Sequence, residues 1–98
     1  MNSESAWMVS EREWARRLAS VFGRTADVLE RSAALAEEHA RRCAEDGRLD
    51  VVKRERKAAE RARGGASRAR LKAASQAQLL REFDELAGRA DERDQLAG

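Results

Sequence analysis

The chain has 98 residues, of which 42% are hydrophobic and 39% are charged, and its formal net charge is +2. The length allows one small domain, and abundant alanine, arginine and glutamate without proline or tyrosine favour long helices and exclude a sheet-rich fold. A single cysteine excludes an internal disulfide framework, and no apolar run reaches the roughly 18 residues of a membrane span.

The first predicted element is a helix from about residue 10 to residue 45. Ser10 and Glu13 form a capping-box pattern, in which the hydroxyl and the carboxylate bond backbone donors at a helix start. We therefore expect residues 1–9 to be frayed, although Trp7 keeps the heptad phase and leaves an earlier start near Ser3 or Ser5 open. Asp46 and Gly47 end the helix, because glycine best adopts the left-handed conformation that closes a helix, and a turn is expected at 46–48.

An apolar heptad repeat, the tryptophan stripe, runs through this first helix. Residues on both sides of it widen the apolar face beyond a strict coiled-coil seam. Because the stripe holds both tryptophans, we predict that it forms the core or an interface, and that Trp14 faces Leu80 of the second helix. The stripe consists of Trp7, Trp14, Val21, Val28 and Leu35, and Leu18, Phe22 and Leu29 widen it.

The second predicted helix runs from about residue 49 to residue 92, before a flexible tail at 93–98. Its apolar face is mostly alanine, at spacings of three and four residues, and includes Leu80 and Phe83 before it ends at Ala90. Gly64 and Gly65 interrupt the sequence without changing this periodicity, so a hinge there is the alternative to one continuous helix. Folding back at Gly47 would place residue i opposite about residue 94 − i.

These elements predict an all-α fold, a long antiparallel helical hairpin that occupies residues 10–92. The apolar face of the first helix is wider than one alanine-rich neighbour can cover. We therefore expect two hairpins to dimerise into a four-helix bundle or coiled coil.

A basic block covers residues 48–72, with ten basic and three acidic side chains and a balance of +7. A set of its cations falls within about 100° on a helical wheel, opposite the alanine face, and could follow phosphates. No aromatic residue interleaves them, so a solvated helix surface is the favoured interpretation and anion binding the alternative. This basic stripe consists of Lys53, Arg54, Lys57, Arg61, Arg68 and Lys72.

His39 and Cys43 lie four residues apart and could supply two metal ligands, but the chain has no second histidine or cysteine. We therefore expect no metal site, no cofactor, no small-molecule substrate and no catalytic activity. The fold-back register instead predicts that His39 pairs with Glu55 and that Cys43 fills space near Val51 and Val52.

In length and helicity the chain resembles the WXG100 proteins that ESX systems secrete. Their turn carries Trp-x-Gly, and a Tyr-x-x-x-Asp/Glu signal follows the second helix. Here the turn reads Glu45-Asp46-Gly47, and Phe83 is followed four residues later by Ala87. The resemblance is therefore one of size alone and assigns no family.

The sequence favours a small helical module for protein–protein interaction or assembly, such as an adaptor, a scaffold or a regulatory subunit. Its expected partner is a second copy or another helical protein. A nucleic-acid-associated protein that uses the basic stripe is the first alternative, and a secreted helical hairpin is the second. We expect a cytoplasmic protein without membrane contact, and secretion without a cleaved signal stays open.

Overall fold

In a computed structural model the chain forms an antiparallel helical hairpin, as predicted. Helix α1 spans Ser3–Glu45 and helix α2 spans Leu49–Ala97, and no strand occurs among residues 3–97, whose backbone the structure describes. Side chains are described for residues 6–96. Helix α2 passes through Gly64 and Gly65 without a break. Dimerisation stays a prediction.

The turn is built by hydrogen bonds that close the end of α1. Gly47 has φ 75°, the left-handed conformation that glycine adopts without steric cost. Its amide donates to Ala44 O at 3.1 Å, and the Arg48 amide donates to Cys43 O at 2.9 Å. This pair of bonds is a Schellman motif, which satisfies carbonyls that the helix end would otherwise leave open.

Helix α1 begins at Ser3, so the earlier of the two predicted starts is the one observed, and the favoured start at Ser10 is not. Ser10 lies inside the helix, and the Glu13 carboxylate accepts a hydrogen bond from Arg16 Nη1 at 2.9 Å, one turn further along. The second helix likewise extends past the predicted end at 92. Fraying of residues 1–9 and flexibility of the tail 93–98 stay predictions, and residues 1, 2 and 98 lie outside the described residues.

Contacts divide the chain into two compact units. The turn unit is Phe22–Leu71, and the terminal unit combines Met1–Val21 with Lys72–Gly98. Next to the turn, Cys43 packs in a buried cluster with Ala40, Val51 and Val52, as the sequence predicts.

Farther from the turn, the core of the turn unit consists of small side chains. Ala26 of α1 is completely buried against Ala66 and Ala69 of α2, and Leu29 packs against the same cluster. A Cβ atom added at Gly65 would lie 3.1 Å from Leu29 Cδ1. Leu29 and Gly65 sum to 94, so this contact confirms the predicted fold-back register.

The core of the terminal unit contains Ala15 and Phe83, both buried. The Trp7 ring meets the Phe83 ring edge-on, with 6.5 Å between centroids and 76° between planes. Arg12 crosses from α1 to α2, where its Nη2 donates to Phe83 O at 3.3 Å and lies 3.4 Å from Asp84 Oδ1. An aromatic contact and one arginine therefore connect the helices of this unit.

The tryptophan stripe does not form the core of the single chain, so of the two roles predicted for it only the interface stays a prediction. Alanine lines the α1 side of the contact instead, because small side chains let two helices approach closely. Leu35 follows the buried Ala33 by two residues, about 200° around the helix. Helix α1 thus has two apolar faces, and the face with the smaller side chains contacts α2.

Candidate interaction surfaces

The terminal unit exposes an apolar surface on α1. Trp7 and Trp14 are each 59% exposed and Val21 is 46% exposed, although side chains of this kind are usually buried. Trp14 directly precedes the buried Ala15, so its ring points to a flank of the seam rather than into it. The predicted contact with Leu80 therefore does not bury the Trp14 ring.

Helix α2 adds two leucines to this apolar surface. Leu79 and Leu86 are exposed and lie seven residues apart, and Leu79 directly precedes the half-buried Leu80. In an antiparallel helix pair, residues that precede seam positions on both helices share one side of the pair. The exposed leucines thus lie on the side of Trp14. We call the surface formed by Trp7, Trp14, Leu18, Val21, Leu79 and Leu86 the open apolar surface.

The sequence predictions did not include Leu79 or Leu86 among the site residues. Their seven-residue spacing is visible in the sequence. However, the three- and four-residue spacing of the alanines on α2 includes Leu80, and not the adjacent Leu79, in the apolar face. The spacing becomes informative only once the flank of α2 that adjoins the tryptophans is known.

The turn unit has exposed apolar residues of its own. Val28 is 60% exposed and Leu35 is 67% exposed. Neither therefore packs against the Gly64–Ala66 segment or Ala59, where the fold-back register had placed them.

The remaining predicted core or interface residues are at least partly covered. Phe83 is buried, and Leu18, Phe22, Leu29 and Leu80 are half-buried. Phe83 and Leu29 thus act as core residues, as predicted.

Ion pairs occupy the flank of the turn unit opposite Val28 and Leu35. Arg70 donates two parallel bonds to Glu30, from Nε to Oε1 at 2.9 Å and from Nη2 to Oε2 at 2.6 Å. Arg63 Nη2 lies 2.7 Å from Glu37 Oε1. The hydrogen bonds from Arg70 lower the pKa of Glu30 and raise that of Arg70. Such exposed pairs add little stability, but they mark which side of the hairpin is charged.

The basic stripe is solvent-exposed at every position, as its helical phase predicts. Five of its six cations lie in the turn unit, and Lys72 belongs to the terminal unit. Among the ion pairs of residues 6–96, the arginines that engage α1 from the turn unit of α2 are Arg63 and Arg70, which are not stripe members. No ion pair among these residues involves Lys53, Arg54, Lys57, Arg61 or Arg68.

His39 lies where the register predicts, with its Nδ1 3.6 Å from Glu55 Oε1. The two side chains are therefore neighbours, although the distance is longer than a hydrogen bond. Cys43 is buried. The side chains that the structure describes contain no cluster of three or more potential metal ligands.

Comparison with known proteins gives no assignment: no family model, curated protein or solved structure matches the chain. Within the described residues, neither helix is apolar enough over sufficient length to cross a bilayer. The function of the hairpin is therefore inferred from its exposed side chains.

Proposed function

We propose that this protein is a non-catalytic interaction module, working in the cytoplasm, that assembles with other helices through its open apolar surface. The observation that carries the proposal is the exposure of Trp7 and Trp14 on one flank of the terminal unit. Tryptophans contribute disproportionately to the binding energy of protein interfaces. A large exposed apolar patch is unfavourable in water unless a partner covers it.

A second copy is the partner that the surface favours. Most soluble oligomers are symmetric dimers, in which one patch must complement itself. Helical positions near the patch carry both signs of charge, for example Arg17 on α1 and Glu82 on α2. Two copies can therefore face each other without uniform like-charge repulsion. A bundle of four helices, paired as a coiled coil, would then bury the tryptophans.

Sedimentation equilibrium tests this proposal. Wild-type protein should sediment with twice the 11.0 kDa chain mass at micromolar concentration. Trp14→Glu should sediment as a monomer with unchanged helicity, because a charge at the interface centre opposes association while an exposed site tolerates it. The variant separates assembly from folding.

Leu71→Glu is the matched control. Leu71 is 70% exposed and lies in the turn unit, outside the open apolar surface. The same apolar-to-acidic change there should leave the dimer intact. A wild-type monomer across the concentration range, or equal dissociation by both variants, would contradict the proposal.

A further inference from the structure

The outer surface of α2 in the turn unit concentrates unpaired positive charge. Its five cations extend from Lys53 to Arg68, which is about 22 Å at 1.5 Å per residue. Asp50 and Glu60 share this helical phase, so five positive charges stand against two negative ones. Lys57 and Arg61 form no described ion pair with Asp50 or Glu60. The free cations are Lys53, Arg54, Lys57, Arg61 and Arg68.

Gly64 lies within this cationic surface and is not required by the packing of the hairpin. A Cβ atom there would meet only the Arg68 guanidinium, at 3.4 Å, which is an ordinary contact with a flexible side-chain end. An interior helical glycine costs about 1 kcal/mol relative to alanine. Glycine does permit another molecule to approach the helix backbone closely. The residue therefore suits a helix surface on which an anionic ligand lies.

We propose that this surface of α2 binds the phosphate backbone of a double-stranded nucleic acid without sequence preference. The spacing fits a continuous polyanion, because 22 Å corresponds to about six base pairs at 3.4 Å per pair. Phosphate contacts fix position and carry no base information, which agrees with a surface of flexible cations.

Other polyanionic partners fit this surface less well. Single-stranded nucleic acids are held by stacking on aromatic rings, and no aromatic residue occurs between Lys53 and Arg68. Anionic membranes bind helices that also insert an apolar face, whereas this outer surface is charged along its length. Binding to the backbone of a duplex requires neither aromatic stacking nor apolar insertion, and the positive charge of this surface is sufficient for it.

The test uses full-length protein with a 20-base-pair DNA duplex and an RNA duplex of the same sequence. With five phosphates neutralised, the slope of log K against log salt for the DNA duplex should be about −4.5, or roughly 500-fold weaker binding between 50 and 200 mM salt. Reversal of Lys57, Arg61 and Arg68 to glutamate should abolish binding while helicity remains. Binding of either duplex supports the proposal. The comparison of the two affinities shows whether the ligand is DNA, RNA or both.

A matched triple reversal controls for net charge. Arg24, Arg31 and Arg41 lie in the same unit but on α1, are exposed, and make no described ion pair. Their change to glutamate should preserve most of the affinity. Equal loss in both triple variants, no binding to either duplex at 50 mM salt, or binding to phosphatidylserine vesicles alone would overturn the proposal.

A glycine variant tests the close approach. Gly64→Ala should bind nearly as wild type, whereas Gly64→Gln should bind several-fold more weakly, although it keeps every charge. Equal affinity of the two variants would contradict the close approach of the nucleic acid to the helix backbone at Gly64.

Discussion

Two adjacent glycines on α2 give the sharpest test of how the helices pack. Gly64→Ala and Gly65→Ala make the same chemical change one residue apart, so helix propensity contributes about 1 kcal/mol of stabilisation to each. Only Gly65 faces α1: its added Cβ would lie 3.1 Å from Leu29 Cδ1, whereas that at Gly64 meets only a flexible guanidinium at 3.4 Å.

The contact decides the difference between the two variants. Gly64→Ala should be stabilised by the full propensity gain, which raises the melting temperature by about 4–8 °C in a domain of this size. At Gly65 the neighbouring leucine must move by a few tenths of an ångström. Overpacking of this kind costs about 1 kcal/mol or more, so Gly65→Ala should gain nothing or be destabilised.

Thermal and urea denaturation at one low protein concentration measure both variants. The control is Leu29→Val, which shortens the crowding side chain; in that background Gly65→Ala should recover about 1 kcal/mol, a coupling that a double-mutant cycle isolates. Equal stabilisation by both alanines in the wild-type background would refute the register in which Leu29 meets Gly65.

Three further predictions follow from particular residues. Gly47→Ala should destabilise the chain by about 1–2 kcal/mol in urea denaturation, because the Cβ of alanine crowds the backbone at this left-handed φ; an unchanged midpoint would contradict the turn. Phe83→Ala should cost about 3–5 kcal/mol, whereas Trp14→Ala should change monomer stability by far less, since only Phe83 is buried; a reversed order would place Trp14 in the core. The lowered pKa of Glu30 should return toward its ordinary value in Arg70→Ala, as NMR titration would show. Any stabilisation by this pair is present at neutral pH and disappears as the pH falls through the lowered pKa of Glu30.

The turn and the register could be predicted because they depend on local signals. Gly47 has a unique conformational role, and alanine at spacings of three and four defines one face of α2. These two features were sufficient to bring Leu29 to Gly65 and His39 to Glu55.

The orientation of α1 could not be predicted from hydrophobicity alone. The heptad of tryptophan, valine and leucine carries most of the apolar weight, and it outweighs Ala26 and Ala33 in any hydrophobic pattern. Close helix approach nevertheless favours the small residues, and both alanines are completely buried. The capping-box pattern at Ser10 does not mark the helix start, since α1 continues to Ser3 and the Glu13 carboxylate accepts a hydrogen bond from Arg16.

Trp14 faces outward in the single chain, and we expect assembly to cover it. In Trp7→Phe, Trp14 is the sole fluorophore, so its emission reports this surface directly. We expect red-shifted emission and efficient acrylamide quenching at nanomolar concentration, with a blue shift and protection at tens of micromolar. Protected emission at every concentration would place Trp14 in the core of the single chain, and exposed emission at every concentration would contradict assembly through this surface.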